Sequence, residues 1–222
     1  MNARSISVVI PVYNAGSFLR LSIASILAQT HRDLELIAVD DGSTDDSAAT
    51  LASFAAIDPR VRFISRPNTG IVGALNDGLA ISGGDYIARM DADDIAEPIR
   101  LERQLAYFGT RPDCVALGTF ARVIDPSGGV VGLHEPPREH DEILARLLLA
   151  DGGALLHPSV IFRRSALVEA GAYDPAFCRA EDLDLYFRLS KHGRLANLPE
   201  PFSATASTPR AQISPAVPSN AA

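Results

Sequence analysis

Between Ile6 and Met90 the chain alternates four times between a short β-prone run and a polar turn, with helical apolar spacing filling the intervals, and this alternation constrains the fold most strongly. Ile6 to Val12 is closed by Pro11, Tyr13, Asn14 and Gly16, after which Leu19, Ile23, Ile26 and Leu27 recur at helical spacing. Leu34 to Val39 leads through the acidic turn Asp40 to Asp45 into a helical face of Ala48, Leu51, Ala52 and Ala55. Val61 to Ser65 precedes Val72, Leu75 and Leu79, and Asp85 to Met90 forms the fourth run. Parallel neighbours need a crossover and helices supply it, so the expected class is α/β, with a mostly parallel, Rossmann-like sheet flanked by helices. Sheets of this kind bind ligands beyond the carboxyl ends of their strands.

Those ends are polar here. Tyr13-Asn14 follows the first strand, Asp40-Asp41 the second, Arg66-Pro67-Asn68 the third and Asp91-Ala92-Asp93-Asp94 the fourth. Carboxylates this crowded raise one another's pKa, and a bound cation is the simplest way to keep them ionised. Oxygen ligands favour a hard ion, Mg²⁺ or Mn²⁺, over Zn²⁺. An isolated Asp-x-Asp is usually a solvated loop. At a strand end, ahead of a helix that Pro98 can open, the same run suits a metal that also holds a phosphate.

The pattern changes after residue 110. Val115 to Asp125 and Val130 to Leu133 flank Pro126-Ser127-Gly128-Gly129 as a hairpin. Ile143 to Leu149 reads as a helix and Ser159 to Phe162 as a short strand. Glu181 to His192 reads as a helix with Leu183, Tyr186 and Phe187 inward and Gly193 as its stop. The expectation is one domain over 1–202, with an α/β half over 1–110 and a smaller mixed half over 111–202. The Ala/Ser/Thr/Pro stretch 203–222 is expected to be disordered, since it offers little apolar surface to bury.

A length of 222 residues suits a single core. The net charge of −7 excludes a nucleic acid held by its backbone, which needs a basic face. Cys114 and Cys178 have no metal-ligand spacing and are expected to be reduced thiols, with a disulfide between them left open. No apolar run reaches the ~18 residues of a membrane span, and no signal peptide is evident. The expected location is cytoplasmic, with peripheral association at the inner face of the cell membrane left open. The sole lysine, Lys191, sits near a helix end, which argues against a receiver-type signalling domain. A nucleotidyltransferase would need a Gly-rich basic loop after the first strand, and none is present.

Taken together, Ser7 to Asn14, Val39 to Asp45, Asp91 to Asp94 and Glu181-Asp182 resemble, in order and spacing, the motifs of family 2 glycosyltransferases of the GT-A fold, over residues 5–201. The resemblance implies an inverting transfer from a nucleotide-diphosphate sugar, a UDP-sugar above others, to a hydroxyl of a saccharide or lipid-linked saccharide. It makes 1–110 the nucleotide-sugar, or donor, half and 111–202 the acceptor half. It implies that Asp41 accepts a hydrogen bond from the base, with Tyr13 against the ring, Pro11 shaping the turn, and Asn14 and Arg66 on the nucleotide side. Asp93 matches the metal ligand for Mn²⁺ or Mg²⁺, and Asp91 reaches the ribose or a metal-bound water. Asp182 matches the general base, Glu181 orients the acceptor, and His157 contacts acceptor or phosphate. Plain local roles stand beside these: Ser43 or Asp45 as helix caps, Asp94 as a cap for the next element, and Asp184–Arg188 as an i,i+4 pair. Many members of the family carry a histidine beyond the segment matching Leu198 to Pro201, whereas here no histidine comes after His192. Weak metal binding would result, and with it an alternative: a catalytically impaired nucleotide-sugar-binding or assembly module of the same fold.

Overall fold

In the computed structural model, which describes residues 5–125 and 128–206, the β-branched runs form β1 (Ile6–Val12), β2 (Leu34–Asp40), β3 (Val61–Ser65) and β4 (Tyr86–Arg89). They pair in parallel in the order β3-β2-β1-β4. Helices α1 (Phe18–Leu27), α2 (Ser47–Ile57) and α3 (Ile71–Ala80) make the crossovers. Alternate residues of β1 serve different cores. Val8 and Ile10 pack with Leu19, Ile23 and Leu51, while Val9 packs with Val72 and Leu75. Burial on both faces explains the apolar run from Val8 to Val12 in β1. In α3, a Cβ at Gly78 would lie 2.5 Å from Val9 Cγ1, so the helix seats on the sheet only with glycine there.

One expected face is rotated. On α2 the buried residues are Ser47, Thr50 and Leu51, while Ala52 is exposed. Ser47 Oγ accepts a hydrogen bond from the Ala15 N–H at 3.2 Å, which draws a polar edge of the helix inward.

The rest of the chain extends the sheet with mixed pairing. After β5 (Ile95–Ala96) and α4 (Arg100–Thr110) come β6 (Cys114–Ile124) and β7 (Val130–His134). Then come α5 (His140–Leu147), β8 (Ile161–Arg163), α6 (Arg164–Glu169), α7 (Glu181–Leu189) and β9 (Arg194–Ala206). β8 is antiparallel to both β4 and β6, β9 runs parallel to β6, and β5 closes the far side of β9. β7 returns on β6 as the expected hairpin, whose residues 126–127 lie outside the described residues.

The expected boundary at residue 203 is corrected. Ser203 and Ala204 pair with Ala96 and Ile95 on one side and with Ala121 and Arg122 on the other, and Ser203 is buried. Between two partner strands the ladder satisfies the backbone, so a run of small residues is ordered by its neighbours rather than by its own apolar surface. Residues 207–222 of the expected tail lie outside the described residues. Cys114 is buried, Cys178 is exposed, and neither is in a disulfide. Among the described residues no helix is long and apolar enough to cross a membrane.

Candidate active site at the strand ends

The loops after β1 and β2 are fastened to each other. Asn14, in the left-handed region at φ 49°, donates its N–H to Ser43 Oγ at 3.0 Å and accepts the Thr44 N–H on Oδ1 at 2.8 Å. Its side chain therefore clamps the two turns. Asp45 accepts the N–H groups of Gly16 and Ser47, and hydrogen bonding from Ser47 and Gly16 holds its carboxyl below the usual range. Pro11 is half-buried opposite Val39, and Tyr13, 56 % exposed, leaves its ring open to a planar ligand.

Asp40 is absorbed by the turn, accepting the Ser43 N–H at 3.0 Å. Asp41 is different. Its two carboxylate oxygens accept the N–H groups of Thr69 at 3.1 Å and Gly70 at 2.8 Å, where α3 begins, and Arg66 Nε lies 3.3 Å from Oδ1. A carboxylate offers about four lone-pair sites, so acceptor capacity remains for a ligand N–H. Arg66 also pairs with Asp77 at 2.7 Å and lies over Gly73, where a Cβ would come 2.7 Å from Nη2. Residues that follow β1, β2 and β3 thus form one patch.

β4 delivers the acidic run next to β1, two strand spacings from Asp41, or about 10 Å across the sheet. Asp91 pairs with Arg89 at 2.5 Å. Asp93 is half-buried, and burial followed by the Asp91 charge pushes its carboxyl above the ordinary range. Asp94 departs from the expected capping role. It is 1 % exposed, and Thr205 Oγ1 in β9 donates to it at 3.5 Å. Burial, then the charges of Asp91 and Asp93, pushes Asp94 well above the usual carboxylate value. Its fixing point lies in the very segment expected to be disordered.

Two arginines beneath this run carry no motif in the sequence. Arg89 is 3 % exposed, with Nε and Nη1 lacking hydrogen-bond partners among the described residues. Burial opposes its charge, but the Asp91 pair overrides that and holds the guanidinium above its ordinary range. Fully buried Arg100 donates to the Arg89 carbonyl at 3.0 Å, and burial pushes it down to about 10. The available signal was an arginine ending an otherwise apolar, doubly buried strand.

The acceptor half contributes the start of α7. Glu181 and Asp182 are 5 % and 6 % exposed in its first turn, where the helix dipole favours negative charge. Asp182 Oδ1 accepts the Leu183 N–H at 2.8 Å. Asp184 forms the expected local pair with Arg188 at 2.5 Å. Of the inward residues expected on this helix, Tyr186 is buried, whereas Leu183 and Phe187 are half-buried and yield to Leu185 and Leu189. His157 is 1 % exposed, sharing a 2.8 Å hydrogen bond with the Tyr173 hydroxyl and lying edge-on to Tyr186 at 6.2 Å. These contacts seat His157 beside Tyr173 and Tyr186, on the side of the molecule that carries α7.

Tyr173 joins the two halves electrostatically. Burial raises its hydroxyl above the ordinary range, Arg89 opposes this, and Asp182, Glu181 and Asp91 add to it. Asp91 after β4 and the acids of α7 are thus close enough to act on one buried phenol.

Among the described residues no three His, Cys, Asp or Glu side chains converge as a ready metal cage. The donor set still fits a Mg²⁺-type ion, which is commonly held by one or two carboxylates plus substrate phosphate. Asp93, with a carboxyl that a nearby cation would help to ionise, is the side chain suited to it. A concavity of about 600 Å³ lies elsewhere, at the opposite end of β4 beside Asp85, Arg163, Arg164 and Glu169.

Carboxylates gathered beyond the carboxyl ends of parallel strands mark the ligand-binding end of an α/β protein. More narrowly, the chain belongs to glycosyl transferase family 2, whose family profile matches residues 7–170. It is 31 % identical over 211 residues to an uncharacterized glycosyltransferase of Haemophilus influenzae, covering 90 % of this chain and 64 % of that protein. It is 32 % identical over 190 residues to a chondroitin synthase of Escherichia coli, covering 85 % of this chain but 27 % of the synthase. The chain therefore spans less than two thirds of either relative. Among solved structures, S. aureus TarS 1–349 in complex with UDP-GlcNAc superposes with a TM-score of 0.75 at 18 % identity, over 96 % of this chain and 61 % of that one. The mannosyltransferase PcManGT from Pyrobaculum calidifontis, in complex with GDP-Man and Mn²⁺, gives 0.68 at 20 % identity, over 92 % and 57 %. These likenesses establish the GT-A fold.

Proposed function

We propose that the chain is an inverting glycosyltransferase that moves a sugar from a UDP-sugar to an acceptor hydroxyl. The observation that carries this reading is the placing of Asp41 and of the run Asp91 to Asp94 beyond the carboxyl ends of β2 and β4, the two strands that flank β1 in one parallel sheet. Family membership supports it, as does the UDP-GlcNAc named with the TarS structure. Asp41, with lone pairs to spare, accepts the base N–H, and Tyr13 covers the ring. Asp91 is the ribose-side residue, and Asp93 holds a Mn²⁺ or Mg²⁺ ion. Bound there, the ion supplies charge neutralisation for the departing diphosphate. Asp182 takes the acceptor proton as the hydroxyl attacks, and Glu181 orients the acceptor, a saccharide or lipid-linked saccharide. The domain over 1–202, extended through β9, works as one unit in the cytoplasm.

Titration calorimetry with UDP-, GDP- and dTDP-sugars in the presence of Mn²⁺ tests the donor, and product formation tests transfer. Saturable binding of a UDP-sugar is expected, and absence of binding by every nucleotide sugar contradicts the reading. A second reading, an impaired binding module, draws on the lack of a ready three-ligand metal cage among the described residues. Binding without turnover of any bound donor selects it.

A further inference from the structure

Asn76 and Tyr173 are 97 residues apart, yet the Asn76 side chain meets the Tyr173 backbone twice. Nδ2 donates to the Tyr173 carbonyl at 2.8 Å, and Oδ1 accepts the Tyr173 N–H at 3.1 Å. Asn76 lies on α3, the helix whose first N–H groups hold Asp41. Beyond the clasp, the Tyr173 hydroxyl bonds His157 Nε2 at 2.8 Å, and the His157 ring lies 5.6 Å from Tyr173 and 6.2 Å from Tyr186. Tyr186 sits one helical turn after Asp182 on α7, so both share a face.

We propose that Asn76, Tyr173 and His157 form a positioning unit that sets the first turn of α7, and with it Asp182, against the donor side of the site. This deepens the transferase reading and rests on it. Two features show that the unit is built at a cost to stability. Ala172, just before Tyr173, has a φ of 55°, the left-handed region that a residue with a Cβ disfavours. The Tyr186 hydroxyl is buried with no hydrogen-bond partner among the described residues. Neither feature is one that packing alone would select. None of the three residues touches substrate in this role; they act through α7.

Two variants test it in the full chain. Tyr173→Phe keeps the ring and removes only the hydroxyl, while Asn76→Ala removes the clasp. Hydrogen exchange of the free proteins reads the helix directly: amides of residues 181–189 exchange faster in both variants, and those of α1 do not change. Turnover of UDP-GlcNAc with Mn²⁺ reads the consequence: kcat falls about 10- to 100-fold, as expected for a displaced reacting group, with KM for the donor within about twofold. Unchanged exchange in residues 181–189 overturns the proposal even if no donor is turned over. Unchanged kcat beside an active wild type overturns it as well. Absence of turnover of any nucleotide sugar by the wild type strikes the transferase reading, and the exchange measurement still decides whether the unit positions α7.

Discussion

The donor half and the acceptor half hold their charged residues by different means. Asp41 and Asp45 are fixed by backbone N–H groups at turns and helix starts, the cheapest partners a folded chain offers. In the acceptor half Asp182 also accepts a backbone N–H, but the helix that carries it is seated through Tyr186 against the buried rings of His157 and Phe162. The first arrangement ties each carboxylate to the main chain of a neighbouring turn, so it does not depend on which side chains stand there. The second depends on side-chain contacts, steadied by the Asn76 clasp on Tyr173 across 97 positions of sequence, and is the part of the site that single substitutions should displace.

The sharpest way to break this contrast is Asp182→Asn. It should reduce transfer by about 10²- to 10⁴-fold, the contribution of a positioned base, with UDP affinity unchanged by calorimetry. Equal activity of variant and wild type refutes the base assignment. Asp41→Ala should affect the donor half in both stability and binding. Two N–H groups at the start of α3 lose their acceptor, costing about 1–3 kcal/mol in thermal or denaturant unfolding, and nucleotide affinity falls as well. A loss of affinity with no loss of stability would mean that the carboxylate serves the ligand alone. Asp93→Ala should weaken Mn²⁺-dependent UDP binding at least about tenfold, about 1.4 kcal/mol, and leave metal-free binding unchanged. Equal weakening with and without Mn²⁺ would remove the metal role.

The smallest effect concerns the thiols. Burial pushes Cys114 up to about 12, so at pH 8 it is protonated as well as inaccessible, whereas Cys178 is exposed. A thiol reagent at pH 8 should label Cys178 alone in the native protein and both cysteines after unfolding. Labelling of Cys114 in the native state would show that β6 opens at its start.

Legibility in the sequence divides along the same line. The β-branched runs and the acidic turns after them are local signals, so β1 to β4 and the candidates Asp41, Asp91 and Asp93 can be read from residue type and spacing. Arg89 is hidden as one polar letter in an apolar strand, although its burial under Asp91 makes it part of the site. The ordering of Ser203 to Ala206 is illegible because it comes from β5 and β6 on either side. Asn76 and Tyr173 carry no signal at all, since their pairing exists only once 97 residues have folded between them. His157 stands out by its type, but its place between two tyrosines is a property of packing.

A crystal structure with UDP and Mn²⁺ tests the convergence of the two halves most directly. The account predicts the base at Asp41, the diphosphate and Mn²⁺ at Asp93, and the start of α7 facing them across the strand ends. Nucleotide seated instead in the concavity beside Asp85, Arg163 and Arg164, at the far end of β4, would contradict it.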